Sequence, residues 1–231
     1  MTPLNFKRHR FPPTLIRHSI WLYARFTLSL RDVEEMLAER GLDVSYETVR
    51  RWFRKFGSIV AANLRCMRPT PSNHWHLDEM AIVIRGRQYW LWRAVDNEGE
   101  VLDFLIQSKR DAKAAAKLVR KLLKRQGFAP SRIVTDKLRS YQAAFRRLGL
   151  TADHDQSKRA NNRAENSHQP VRRRERKMQR FKSPGATQRF LSIHAATYNT
   201  FYHQRHLLNR PTFKQMRSES FLSWSVATAI A

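Results

Sequence analysis

Apolar positions recur at helical spacing through the first 56 residues. In 13–26, "PTLIRHSIWLYARF", Leu15, Ile16, Ser19, Ile20, Leu22 and Tyr23 fall close to one stripe, which predicts a helix. Residues 29–40, "SLRDVEEMLAER", open on Ser29 as a cap and present Val33, Met36 and Leu37, and Gly41 suits the end of that helix. Ser45 caps a third predicted helix, 46–56, in which Val49, Trp52, Phe53 and Phe56 stand at i, i+3, i+4 and i+7. Its other face carries Arg50, Arg51, Arg54 and Lys55. After a Pro-containing linker at 64–74, "LRCMRPTPSNH", the pattern changes. "WHLDEMAIVI" (75–84) is apolar on both alternating faces, as in a strand covered on both sides. "QYWLWRAV" (88–95) and "EVLDFLIQ" (100–107) are two more strands, separated by the turn "DNEG". A helix over 111–126 places Ala115, Leu118, Val119 and Leu122 inside and a row of lysines outside. "SRIVTD" (131–136) reads as a short buried strand ending in Asp136, and 139–149 as a helix. Residues 185–208 are weakly helical, and 212–231 show no clear organisation.

Charge narrows the partners. The 231 residues hold 44 Lys and Arg against 19 Asp and Glu, a formal net charge of +25. Such an excess repels itself and calls for a polyanion, for which nucleic acid leads. No apolar run approaches the roughly 18 residues of a membrane-spanning helix, and the basic N-terminus lacks the apolar stretch of a secretory signal. A single cysteine, Cys66, excludes a disulfide framework and a multi-cysteine zinc site. The expected location is the cytosol, on DNA or RNA. Two short helices around "GLDV" followed by a basic third helix fit a helix-turn-helix, with 46–56 entering the major groove of double-stranded DNA.

Three acids are candidates for chemistry. Asp78 interrupts an apolar strand, where an unpartnered ionised carboxylate costs several kcal/mol. Asp136, followed by Lys137, ends the second buried strand, and the two acids converge if the strands are neighbours. Glu165 belongs to a following helix, near possible caps Asn161 and Asn162. Oxygen ligands suit hard divalent cations such as Mg²⁺, and two such ions about 3.5–4 Å apart promote phosphodiester displacement. Each acid also has a structural alternative: an ion pair for Asp78, a turn or cap for Asp136, a solvated helix face for Glu165. Asp96, Asp103 and Asp111 fall in a turn, mid-strand and at a helix start, and His76, His154 and His168 lack metal-ligand spacing.

The segments "HWHLDEM", "IVTDKLRSY" and "NNRAENSHQPVRRRERKMQRFKS" together resemble the DDE transposases of bacterial insertion sequences, in the family of insertion sequence six. The resemblance runs from about residue 14 to 205. It implies an α/β fold with a ribonuclease-H-like, integrase-type catalytic core and an N-terminal all-α helix-turn-helix domain. The implied division is 1–63, a linker at 64–74, a core over 75–205 and a tail over 206–231. The family's two aspartates map onto Asp78 and Asp136, its glutamate onto Glu165, and the basic residue seven places later onto Arg172. Implied with them are Mg²⁺, with Mn²⁺ as a substitute, a dimer or larger homo-oligomer on DNA, cleavage at the element's ends and transfer into target DNA. Arg172, Arg173, Arg174, Lys177 and Lys137 are then expected phosphate contacts, and Arg50, Arg51, Arg54 and Lys55 readers of the terminal repeats. An interior Pro170 is expected to bend or end the helix, which would let Arg173 or Arg174 take the place of Arg172. The rival readings are a non-enzymatic DNA-binding regulator, a nuclease without strand transfer, and an inactive remnant.

Overall fold

The computed structural model describes residues 1–157, 160–204 and 207–229. These residues form two compact units, Pro69–Gln188 and a second built from Met1–Arg68 with Arg189–Ala231. The expected boundary at 205–206 falls on residues outside those described.

In the second unit, helices α1 (Pro13–Arg25), α2 (Leu30–Ala38) and α3 (Tyr46–Cys66) pack on one another through the predicted stripes. Ser29 caps α2 in a reciprocal pair with Asp32, and Ser45 accepts a hydrogen bond from the Thr48 amide at the start of α3. Val49, Trp52, Phe53 and Phe56 are all buried, while Arg50, Arg51, Arg54 and Lys55 are exposed. The third helix runs ten residues beyond its expected end at 56, to Cys66. Helices α7 (Pro184–Phe201) and α8 (Arg210–Ala227) follow later in the chain. The second of these forms where no organisation was expected; Asn209 caps it by accepting from the Thr212 amide.

The other unit is a five-stranded sheet in the order β3-β2-β1-β4-β5. Its strands are β1 (His74–Ile84), β2 (Arg87–Asp96), β3 (Val101–Gln107), β4 (Arg132–Val134) and β5 (Asp153–Asp155). The first three form the expected antiparallel meander, and β4 and β5 add in parallel to β1. This is the ribonuclease-H-like arrangement. β5 was not foreseen, because "DHD" carries no apolar alternation; its backbone binds the outer edge of β4. Helices α4 (Ala112–Gln126) and α5 (Arg139–Leu148) pack with Trp75, Leu77, Trp92, Ala94, Leu102 and Ile133 into a continuous core. Helix α6 (Asn162–Lys177) packs on β1 and β2. The indole of Trp92 lies inside this core.

Candidate active site

β1 and β4 run parallel, with His74 opposite Arg132, Trp75 opposite Ile133 and His76 opposite Val134. Continuing that register by two residues sets Asp78 beside Asp136, which lies just past the end of β4. Adjacent strands are about 4.8 Å apart, so the two carboxylates meet as a consequence of pairing. Oxygens of Asp78, Asp136 and Glu79 lie within 4.8 Å of one another. Among the described residues, this is the one group of three or more acids, histidines or cysteines so placed.

Asp78 and Glu79 are successive strand residues, so their side chains leave on opposite faces of the sheet. On one face, His168 of α6 places Nε2 3.1 Å from Asp78 Oδ2, donating to the carboxylate in its Nε2–H tautomer. Burial pushes the His168 imidazole below its ordinary value, against the pull of Asp78. The start of α6 is pinned nearby, because the Asn161 side-chain amide donates to the Leu77 carbonyl at 2.9 Å. On the other face, Glu79 Oε2 accepts from the Tyr141 hydroxyl at 2.7 Å and Oε1 from Arg110 Nε at 2.7 Å. Burial raises the Glu79 carboxyl to about 6, although those two hydrogen bonds pull it down.

Asp136 is held by its neighbours. Its Oδ1 accepts from the Leu138 amide at 3.1 Å, and Arg110 Nη2 lies 3.5 Å from Oδ2. Its carbonyl takes hydrogen bonds from the Thr135 hydroxyl and the Gln156 amide. Burial raises the Asp136 carboxyl, and the charge of Asp78 adds to the effect. Two like charges held together in this way form an oxygen-only donor set suited to a hard divalent cation.

Glu165 lies in the first turn of α6, exposed, and outside the group of three. It stands three residues before His168, so the two share one side of the helix. Pro170 does not end the helix: α6 runs through it to Lys177. Arg172 thus keeps its place seven residues after Glu165, half-buried, with its guanidinium 3.1 Å from Glu175. Arg173, Lys177 and Lys137 are exposed. Arg174 corrects the expectation, since at 2% exposure it faces the interior and does not reach a phosphate or replace Arg172.

The other acids have structural work. Asp96 accepts from the amides of Glu98 and Glu100 in the turn, Asp103 pairs with Lys121 and Arg125, and Asp111 caps α4. Sequence reasoning missed Glu79, Arg110, Tyr141 and the contact of His168. Two of these had a signal. Glu79 interrupts the same apolar run as Asp78, and His168 follows Glu165 at the i+3 spacing that shares a helix side.

A family model described as a DDE domain matches residues 72–204. A transposase of the insertion sequence-like element IS431mec from Staphylococcus aureus (strain N315) is 32% identical over 179 residues, covering 75% of this chain and 80% of that protein. The transposase of insertion sequence element IS257 in transposon Tn4003, also from Staphylococcus aureus, is 31% identical over the same shares of both chains. Among solved structures, the HTLV-2 integrase catalytic core domain in complex with magnesium is similar with a TM-score of 0.44 and 14% identity, over 65% of this chain and 99% of that one. With its sheet order, its acidic pair and these relatives, the chain belongs to the DDE transposases of bacterial insertion sequences, in the family of insertion sequence six.

Proposed function

We propose that this transposase cuts and joins DNA at Asp78 and Asp136, with Glu165 completing the ligand set when DNA and Mg²⁺ are bound. Mn²⁺ is the expected substitute. The observation that carries the reading is the parallel register of β1 and β4, which brings two ionisable carboxyls together where β4 ends beside β1. When bound, divalent cations there stabilise the charge on the attacking and leaving oxygens of an in-line phosphodiester displacement. The chain's own residues hold that arrangement. His168 fixes one oxygen of Asp78, the Leu138 amide fixes one of Asp136, and Asn161 ties the start of α6 to β1, one turn ahead of Glu165.

The same site serves two steps. In the first, water displaces the 3′-oxygen at the element's end and leaves a 3′-hydroxyl. In the second, that hydroxyl displaces an oxygen of a target phosphodiester, with no covalent bond to the protein. Arg172, Arg173, Lys177 and Lys137 neutralise phosphates near the site, and Arg50, Arg51, Arg54 and Lys55 read the terminal repeats. Two ends must meet for joining, so the working form is a homo-oligomer on DNA, in the bacterial cytoplasm on the nucleoid.

The test is nicking and joining of a labelled duplex that carries the element's end. D136N is expected to bind within about twofold of wild type and to nick at least about 10³-fold more slowly, the loss of several kcal/mol of charge stabilisation. Wild-type protein that binds ends but never cuts in Mg²⁺ or Mn²⁺ would favour a regulator instead. Cuts without joined product would favour a nuclease.

A further inference from the structure

Arg110 sits in the turn between β3 and α4, and three of its neighbours fix its side chain. Its Nε donates to Glu79 Oε1 at 2.7 Å, its Nη2 reaches the same oxygen and also lies 3.5 Å from Asp136, and its guanidinium carbon stands 5.0 Å from the centre of the Trp90 ring. Glu79 is itself immobilised, with its side chain fully buried and its other oxygen held by Tyr141. The side chain nevertheless remains 38% exposed, and its hydrogen bonds to Glu79 and Asp136 use Nε and Nη2, not Nη1. A cation this close to Asp136 opposes binding of a metal ion there, so a purely local role does not account for its exposed edge. A planar guanidinium with free N–H groups, already oriented on a buried carboxylate, matches the fork geometry of a phosphate diester.

We propose that Arg110 is a catalytic residue that holds the scissile phosphate, and that Glu79 and Trp90 are its positioning residues. The inference rests on the reading of Asp78 and Asp136 as the metal ligands. In it, Glu79 is not a ligand; it anchors the arginine beside the ligands. The guanidinium hydrogen-bonds a non-bridging oxygen while charge builds on it in each displacement, an interaction fixed in advance of the reaction.

The experiment is single-turnover nicking of a labelled end duplex by the full chain in Mg²⁺, with either the natural scissile phosphate or a methylphosphonate in its place. R110A is expected to nick the natural duplex about 10²-fold more slowly, while its end binding stays within about threefold of wild type and its Mn²⁺ binding is no weaker than wild type. R110K keeps a cation for buried Glu79 and so guards against a folding defect; lacking the fork, it should remain at least about tenfold below wild type. The methylphosphonate should slow the wild type far more than it slows R110A, because both changes remove one contact. R110A or R110K at the wild-type rate would overturn the inference, as would losses from mutation and substrate that simply multiply. D136N separates the two claims. If D136N is inactive and R110A is fully active, only the role of Arg110 falls; if D136N nicks normally, the reading of the site falls with it.

Discussion

Glu79 gives the residue scale its measurable pH signature. Its carboxyl is raised from an ordinary 4.5 to about 6, chiefly by burial. The folded chain therefore holds a proton there over a window in which the unfolded chain has released it. The stabilisation is present in full below about pH 4.5 and is lost as pH rises through about 6, on the order of 2 kcal/mol in all. In E79Q this titration is gone. Urea unfolding of the metal-free proteins should show the stability of wild type relative to E79Q falling across that window, and a constant difference would contradict the account. At this scale the sequence was partly readable. Asp78 and Asp136 stood out as acids in or beside apolar strands, and pairing brought them together. Glu79 was passed over since its meaning depends on Tyr141, 62 residues away. Arg174 was misassigned because a run of arginines looks uniformly exposed, although a helix turns each one to a different side.

At the scale of elements, helical and strand periods identified the first three helices, the meander and α4, where one face is plainly apolar. Where neighbours decide, the pattern said less. α3 was expected to stop at Phe56, ahead of Gly57, yet the helix continues and Gly57 is buried against Ile193. A β-carbon at Gly57 would stand 2.5 Å from Ile193 Cδ1. Glycine is there for close approach, not to end the helix. Gly57→Leu is expected to cost about 1–3 kcal/mol by overpacking, whereas Gly57→Ala should change stability by less than about 1 kcal/mol, since its helix propensity offsets a shift of one flexible methyl. Urea midpoints of the two variants check this, and a neutral Gly57→Leu would contradict it. β5 and α6 show the same dependence on context. Three polar residues become a strand only because β4 offers them an edge, and α6 continues through Pro170 while packed on β1 and β2.

For the whole molecule, the net charge of +25 is legible from composition alone and predicts strong salt dependence on DNA. Each phosphate contact made by a basic side chain steepens the fall of log affinity with log salt by about 0.9. Of the four exposed cations on α3, Arg50 pairs with Glu47 and Lys55 lies 2.9 Å from His9, so their contributions are tempered. Replacing all four by alanine should therefore reduce the salt slope for an end duplex by about 2 to 4, measured by fluorescence anisotropy from about 50 to 200 mM KCl. An unchanged slope would remove this helix from the DNA interface.

The central claim is that parallel pairing of β1 and β4 builds a cation site from Asp78 and Asp136. Titration of Mn²⁺ into the full chain without DNA, followed by electron paramagnetic resonance, tests it most directly. Wild type should bind the ion, and D78N and D136N should each weaken that binding by at least about tenfold, the loss of a charged oxygen ligand. Equal Mn²⁺ affinity in wild type and both variants would contradict the account.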